Sequence, residues 1–451
     1  MQKPSVVYLI DHKGRDLMGA ALIAYHLEKL GIVCHMEPLQ SWRSSLPAWK
    51  PNLILFNHLL SKELANYSSE LHKRGILVAV MLNEGLCLGD TQRKYLSQKQ
   101  HPNVHCDLYL TWNDLHRDEL IKQKFVSKPE KVITTGVPRF DFYKQPWLTA
   151  YQGTNKKSLA QVLVNTTFAL AHFHERTEEE QATLISALGE GKIPEKKDYK
   201  GMIKAHYNGR NKLPRFLSEL LNDGSFYITL RPHPREDLEF YTQWINKLPE
   251  DQQKRISLDG KTLIQEAIIT SDIVLNCENC TTSVESWIAD KPTLTLTFDK
   301  HPAFHTETYS KRSPQISEPA AIIKTLQETL KNRKQLEYQD TRQAYLDTWV
   351  HKTDGKCAER AAQAIHQAVN NRPCRNPTYP SDFSSLRRKL KLWLAHAFDE
   401  PSHTQLKHWI RWKTKGSSGK QPMKYRNYLK AVRPSESKAA MNRIKKAAQS
   451  P

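Results

Sequence analysis

Short apolar, β-branched runs alternate with longer stretches of helical apolar spacing along the first third of the chain. Ser5–Asp11 (SVVYLID) reads as a strand. Leu17–Leu30 follows with Leu17, Ala20, Ala21, Ala24, Leu27 and Leu30 on one helical face, and Gly31 stands where a helix C-cap favours glycine. Ile32–Met36, Asn52–Phe56 and Ile76–Leu82 read as strands, with a helix over Lys62–Lys73; Asp107–Thr111 and Lys131–Thr134 complete the series. Strands alternating with helices predict a parallel sheet covered on both faces.

Residues 144–157 interrupt this rhythm and read as a linker. A second series then begins. Gln161–Asn165, Phe226–Arg231, Ile273–Asn276 and Thr293–Thr297 are predicted strands, with helices near Asp237–Lys247 and Leu263–Ser271. Phe168–Asn208 is polar and reads as helical or irregular. The expected organisation is α/β: one Rossmann-like domain over 1–143, a second over 158–372, the two facing a cleft, and a basic tail over 373–451. Ligands of such sheets bind beyond the carboxyl ends of the strands. The second domain closes with an amphipathic helix, Lys356–Val369, before the Pro-rich Asn371–Pro380.

Charge changes this picture only at the end of the chain. The net charge is +20; Ser381–Pro451 holds 17 Lys/Arg against 4 Asp/Glu, so +13 sits there and +7 on the rest. Leu386–Phe398 (LRRKLKLWLAHAF) and Leu406–Lys415 (LKHWIRWKTK) mix cations with Leu, Trp and Ile, the composition of helices that bind anionic lipid surfaces. A tail packed or left loose in solution ranks second. Nucleic acid ranks third, because no recognised nucleic-acid motif accompanies the charge. The lysine-rich remainder, beyond a Gly/Ser break, is expected to be flexible. No apolar run approaches the roughly 20 residues that span a bilayer, and the first residues lack the pattern of a signal peptide. The expected location is cytoplasmic, with the tail as a peripheral contact to the inner face of the cytoplasmic membrane. The seven cysteines are odd in number and scattered, which fits reduced thiols.

Four stretches carry candidate chemistry. LNCENCTTSVES (Leu275–Ser286) holds a Cys-x-x-Cys, but no other cysteines pair at that spacing to complete a zinc site. Its grammar is strand, tight loop, helix start: Thr282-x-x-Glu285 matches a capping box and a helix is predicted over Ser283–Ala289. Such a place either binds phosphate or ribose through Thr281, Thr282 and Ser283 or is a self-contained cap. Arg231-Pro232-His233-Pro234-Arg235 follows a strand and offers cations and an imidazole to phosphate. Asn83-Glu84-Gly85 puts a carboxylate at a strand end, where Glu84 suits general-base work. Asp11-His12-Lys13-Gly14-Arg15-Asp16 is not a dinucleotide fingerprint. Lys13 and Arg15 are placed to meet an anionic substrate, and Asp16 to cap the next helix.

In this order the stretches resemble the bacterial surface carbohydrate biosynthesis protein family, which is similar to GT-B glycosyltransferases. The resemblance runs over roughly residues 5–300. It rests on Lys13, Arg15, Asp16 and Leu17; Asn83-Glu84-Gly85-Leu86; Thr135-Gly136-Val137-Pro138-Arg139-Phe140-Asp141; Val164-Asn165-Thr166-Thr167-Phe168; Arg231-Pro232-His233-Pro234; and Cys280-Thr281-Thr282-Ser283-Val284-Glu285. It implies a GT-B-like nucleotide-sugar transferase of surface polysaccharide assembly (capsule or lipopolysaccharide), with an N-terminal acceptor domain and a C-terminal donor domain. By similarity to CMP-sugar transferases, Glu84 would be the base. Arg231 and His233 would contact the nucleotide phosphate, Thr281, Thr282 and Ser283 would line the nucleotide, and Glu285 would bind ribose or only cap its helix. Lys13, Arg15 and Asn165 would touch substrate. The acceptor would be a glycan or lipid-linked glycan. No metal or other cofactor is expected, since cations and a helix N-terminus can offset the leaving phosphate. An epimerase or hydrolase of the same fold, and a noncatalytic scaffold of a polysaccharide complex, are the alternatives.

Overall fold

The computed structural model describes residues 3–83, 85–86, 90–151, 158–187, 198–299, 301, 310–331, 336–371, 376–401 and 428–450. They fall into two units, Met1–Ala150 with Thr348–Pro451 and Tyr151–Asp347.

The first unit runs β1 (Ser5–Ile10), α1 (Lys13–Lys29), β2 (Val33–Pro38), α2 (Trp42–Trp49), β3 (Leu53–Phe56), α3 (Lys62–Lys73), β4 (Leu77–Met81), α4 (Asp90–Ser97), β5 (Leu108–Thr111), α5 (Asp114–Lys122) and β6 (Val132–Thr134). All six strands are parallel, in the order β2-β1-β3-β4-β5-β6. Every residue of β3 is buried, as expected for a parallel strand covered on both faces, and this is why these strands are continuous apolar runs. Helix starts are set by side chains: Ser61 accepts from the Leu64 N–H and Asn113 from the His116 N–H. Helix α1 begins four residues before the apolar spacing does. The cap is His12, which accepts from the Gly14 N–H; Asp16, expected as the cap, lies inside the first turn and accepts from the His12 N–H at 3.1 Å.

The second unit runs β7 (Ala160–Asn165), α6 (Glu178–Ala187), α7 (Tyr199–Asp223), β8 (Phe226–Arg231), α8 (Leu238–Ile245), α9 (Glu250–Gln253), β9 (Ile256–Leu258), α10 (Ile264–Thr270), β10 (Ile273–Cys277), α11 (Thr282–Ile288), β11 (Thr293–Leu296), β12 (Gln315–Ile316), α12 (Ile322–Lys331) and α13 (Leu336–Trp349). Its sheet is also wholly parallel, in the order β12-β11-β10-β7-β8-β9. Val162, Val164, Ile228, Leu230, Ile273 and Leu275 meet Leu213, Phe216 and Leu220 of α7 in its core. The two Rossmann-like units expected from the sequence are present.

The division of the chain differs from the expected one. Helices α14 (Cys357–Asn370), α15 (Phe383–Ala397) and α16 (Pro434–Ala447) pack on the first unit, against α1, α2 and α1 respectively. The sequence reading gave Lys356–Val369 to the second domain and set 373–451 apart. The lysine-rich remainder is not a loose tail over its final turns: Ala440, Ile444 and Ala447 of α16 are buried, and its lysines face outward, with Lys445 paired to Glu28 at 2.8 Å. The second basic stretch, Leu406–Lys415, lies outside the described residues. Among the described residues no helix is long and apolar enough to cross a membrane.

Candidate functional site

In the second sheet β7 starts the series, β8 and β9 extend it on one side, and β10 to β12 on the other. The order reverses between β7 and β10, and the crevice beyond the carboxyl ends of those two strands is the place where doubly wound sheets hold nucleotides. Asn165 ends β7 and Asn276 lies near the end of β10, directly beside it in register. The Asn165 amide donates to Asn276 Oδ1 at 2.9 Å, and Asn276 Nδ2 donates to Ser283 Oγ at 2.9 Å. Thr282 Oγ1 also donates to Asn276 Oδ1, at 2.5 Å. Asn165 Oδ1 is buried at the switch point with no protein partner.

This network overrides the local capping grammar. Helix α11 starts at Thr282 with Thr281 as its N-cap, and no side chain caps it. The expected capping box is therefore absent, because the Thr282 hydroxyl is spent on Asn276 and lies 2.8 Å from Cys280 Sγ. Ser283 is fully buried and Glu285 nearly so, while Thr281 is exposed. Of the three expected hydroxyls, Thr281 faces solvent, Thr282 is half-buried and Ser283 supports Asn276 from within. The two cysteines are free and buried. Burial pushes the Cys277 thiol far up and raises that of Cys280 as well, the opposite of what a redox thiol needs.

The Arg-Pro-His-Pro turn follows β8 on the other side of β7, and the loop after β7 joins it to the Asn276 network. Thr166 N–H donates to the Arg231 carbonyl at 3.2 Å, and His233 N–H donates to Thr166 Oγ1 at 3.2 Å. Thr167 reaches the other way, its hydroxyl donating to the Cys277 carbonyl at 3.1 Å. His233 Nδ1 accepts from the Arg235 N–H at 3.2 Å, so a neutral imidazole carries its proton on Nε2, the nitrogen able to donate to an anion. Arg231 is committed elsewhere: its guanidinium donates to the Thr262 carbonyl at 2.5 Å and lies 3.4 Å from Asp259.

Two buried acids that the sequence reading passed over hold this end of the sheet. Glu236 Oε1 accepts from Thr166 Oγ1 at 2.5 Å, Phe168 N at 2.8 Å and His233 N at 3.1 Å, and its Oε2 accepts from the Tyr241 hydroxyl. Burial raises the Glu236 carboxyl above its ordinary range even against those bonds. Glu278, in the left-handed region at φ 51°, accepts from Phe298 N at 2.6 Å and Asp299 N at 3.0 Å. His206 on α7 also went unpredicted; burial, then the charge of His233, lowers it to about 4, so it is neutral at pH 7. The signal for Glu236 was faint: one acid two residues past an otherwise rigid turn.

In the first unit the order reverses between β1 and β3. A recess between α1 and the ends of β4, β5 and β6 is lined by Tyr8, Arg15, Asn83, Trp112, Pro138 and Arg139 among others. Arg15 is hydrogen-bonded to Asp16 at 2.7 Å and Asp11 at 3.2 Å, so its charge is balanced locally. Arg139 donates to the Asn83 carbonyl at 3.0 Å and lies over the Trp112 ring at 4.9 Å. Asn83 Nδ2 is buried with no protein partner and borders the recess. Gly85 is required by packing, since a Cβ there would lie 2.9 Å from the Trp112 ring. Glu84 itself lies outside the described residues. Lys13 pairs with Glu436 of α16 at 2.5 Å, which makes it a tie between α1 and the end of the chain.

Thr135–Asp141 turns out to be mostly a docking device for α14. Asp141 accepts from Cys357 N at 3.0 Å and Ala358 N at 2.8 Å, and the Thr135 carbonyl accepts from Arg360 Nε at 3.0 Å. Among the described residues one cluster, His72, His105 and Asp107, brings possible metal ligands together. The two imidazoles are stacked at 3.5 Å and 22°. Near-parallel rings do not aim their lone pairs at one ion, and Asp107 is already bound to His105, Lys131 and Val78 N.

No family model and no curated protein matches the sequence. The fold resembles several solved structures. These include the wall teichoic acid polymerase TagF soaked with CDPG (12% identity, 81% of this chain and 88% of that one, TM-score 0.49). A glycosyltransferase from Rickettsia africae gives 9% identity, 83% and 100% coverage and a TM-score of 0.44. A UDP-GlcNAc 2-epimerase from Neisseria meningitidis bound to UDP-GlcNAc gives 11%, 81% and 99%, and 0.47. Likenesses this distant say nothing of activity or substrate.

Proposed function

We propose that the chain is a GT-B glycosyltransferase of surface polysaccharide assembly, moving a sugar from a nucleotide donor, CMP-linked in the first instance, to an acceptor hydroxyl. The observation that carries this is the polar floor at the β7/β10 switch point: the buried, unpartnered Asn165 Oδ1, the exposed Thr281 and the His233 turn, joined through Thr166 and Glu236. That arrangement suits a nucleoside phosphate, with sugar hydroxyls or base N–H groups donating to Asn165 and His233 Nε2–H donating to the phosphate. The first unit would take the acceptor, a glycan or lipid-linked glycan, in the recess beside Asn83 and Trp112. In the reaction the acceptor oxygen attacks the anomeric carbon, its proton passes to the Glu84 carboxylate, and the anomeric C–O bond to phosphate breaks with both electrons leaving on the nucleotide. His233 stabilises that leaving charge; Arg231, held by Asp259, would act only at longer range. Thr282, Ser283 and Glu285 then support the nucleotide loop from within. An anionic membrane surface is the partner proposed for the basic end of the chain.

The test is a thermal-shift panel of CMP, CDP, UDP and GDP, followed by transfer assays with the sugar of the nucleotide that binds. Glu84→Gln should abolish transfer and leave the nucleotide shift, whereas His233→Ala should weaken both. Full transfer by either variant removes that residue from the mechanism. Donor turnover without acceptor would replace transferase by epimerase or hydrolase, and a shift with UDP alone would overturn the CMP assignment.

A further inference from the structure

Helix α15 has two faces of different kinds. Ser385, Leu392 and Ala395 are buried against the first unit, where the helix packs on α2. His396 pins that side, its Nε2 lying 2.9 Å from Glu37 Oε1, and the same oxygen accepts from Trp49 Nε1 at 2.8 Å. The outward face is apolar. Phe383 is 83% exposed, Leu386 61%, Leu390 54%, Trp393 48%, Leu394 44% and Phe398, just past the helix end, 75%. At about 100° per residue these six span an arc of roughly 140°, centred almost opposite Leu392. Lys389 and Lys391 fall at the two edges of the arc and Arg387 lies inside one edge, while no acidic residue occurs in Phe383–Ala397. Lys389 Nζ sits 4.3 Å over the Trp393 ring, so the cation caps the aromatic side of the stripe.

We propose that this outward face of α15 is a docking surface that lies in the plane of an anionic lipid bilayer. The inference rests on the membrane partner proposed above and names the surface that makes the contact. An exposed apolar arc this wide, edged by lysines and with acidic residues only beyond the helix ends (Asp382, Asp399 and Glu400), matches an interface that is apolar within and negative at its edge. The aromatic and leucine side chains would enter the boundary between headgroups and acyl chains, about 5–10 Å deep. The lysines and Arg387 would meet lipid phosphates, their stems lying along the apolar stripe. Because the opposite face is fixed to α2, docking would hold the first unit, with its recess, at the lipid surface.

The test uses the full chain in sedimentation with vesicles of equal parts phosphatidylglycerol and phosphatidylcholine, and of phosphatidylcholine alone. The wild type should bind the first and not the second. Leu390→Ser with Trp393→Ser, and separately Lys389→Glu with Lys391→Glu, should each weaken binding by about tenfold or more, with the circular-dichroism melt unchanged, since all four side chains lie on the outer face or at its edges. Wild-type binding by the Leu390/Trp393 variant would overturn the proposal, because charge alone would then account for the attraction. A wild-type dimer that this variant converts to a monomer would overturn it too, showing that the stripe covers a second copy. Nucleotide thermal shifts on the same preparations report on the transfer reading separately, so either can fail without the other.

Discussion

Glu236 offers the sharpest test of how the second unit's site is held. Its carboxylate serves four donors from three places in the chain: Thr166 Oγ1 and Phe168 N after β7, His233 N after β8, and the Tyr241 hydroxyl on α8. Glu236→Ala leaves the buried Phe168 N–H without an acceptor and takes from the buried Tyr241 hydroxyl its carboxylate partner, with Thr166 as its remaining neighbour. Each stranded donor costs about 1–3 kcal/mol, and release of a carboxylate that burial already disfavours returns part of this. The net loss should be about 3–4 kcal/mol in a urea melt, or roughly 10 °C in the melting temperature of the second unit. Glu236→Gln keeps one acceptor oxygen and the shape, and should lose about 1–2 kcal/mol as charged bonds become neutral ones. If Glu236 positions the His233 turn, the Gln variant should keep most of its nucleotide shift. The Ala variant should lose the shift, together with about 10²-fold in transfer for a loop displaced by an ångström. An Ala variant within 0.5 kcal/mol of wild type, or one with a full nucleotide shift, would refute the reasoning.

Two further outcomes follow from the first unit. Gly136→Ala should cost about 2–4 kcal/mol by denaturant melt, since Gly136 has φ 82° and a Cβ there would lie 2.7 Å from Cys357 Sγ; Gly31→Ala, at φ 80° with open space around it, should cost only about 1 kcal/mol. Asp141 should make the first unit more stable toward mild acid. Burial, against the bonds from Ala358 N and Cys357 N, raises its carboxyl from 3.8 to about 6. A folded value above the unfolded one gives stability that is full below 3.8 and lost as pH rises through about 6, up to about 3 kcal/mol. Melts at pH 5 and pH 7 check the sign, and Asp141→Asn should flatten the difference.

Elements were legible wherever one local period decided them. Lys62–Lys73 matches α3 to the residue, and the apolar runs of β1, β3, β4, β7 and β8 fall within a residue or two of their strands. Short strands that carry little apolar signal, β9 and β12, were not legible, and neither was the continuation of α7 through Pro214 to Asp223. The capping box at Thr282 failed for a physical reason: Asn276, buried at the neighbouring strand end, competes for the same hydroxyl and wins. Glu236 left only a faint signal because two of its four partners, Thr166 and Phe168, lie 70 and 68 residues away and meet it only in the fold. The return of the chain end was misread through its charge. Ala440, Ile444 and Ala447 repeat at helical spacing among the lysines, and that apolar stripe was the signal for a packed helix.

The motifs that carried the family resemblance do different work once they are folded, and this narrows the site. Most of Thr135–Asp141 seats α14, through the Gly136 turn and the Asp141 carboxylate, which leaves Arg139 beside the first unit's recess. Thr282 and Ser283 serve Asn276, so only Thr281 of that run faces outward. Arg231 is bound to Thr262 and Asp259, and the proposed reading assigns phosphate to His233 of that turn. Strand ends need caps, braces and tight turns as much as they need ligands. Substitutions should therefore separate into two classes. Changes at Asp141, Gly136, Ser283, Asn165 or Glu236 act on stability first and on turnover through it, whereas changes at His233 or Thr281 should act on nucleotide binding in a protein that melts as the wild type does. A His233→Ala protein with a lowered melting temperature and an unchanged nucleotide shift would place that residue in the first class and remove it from the site.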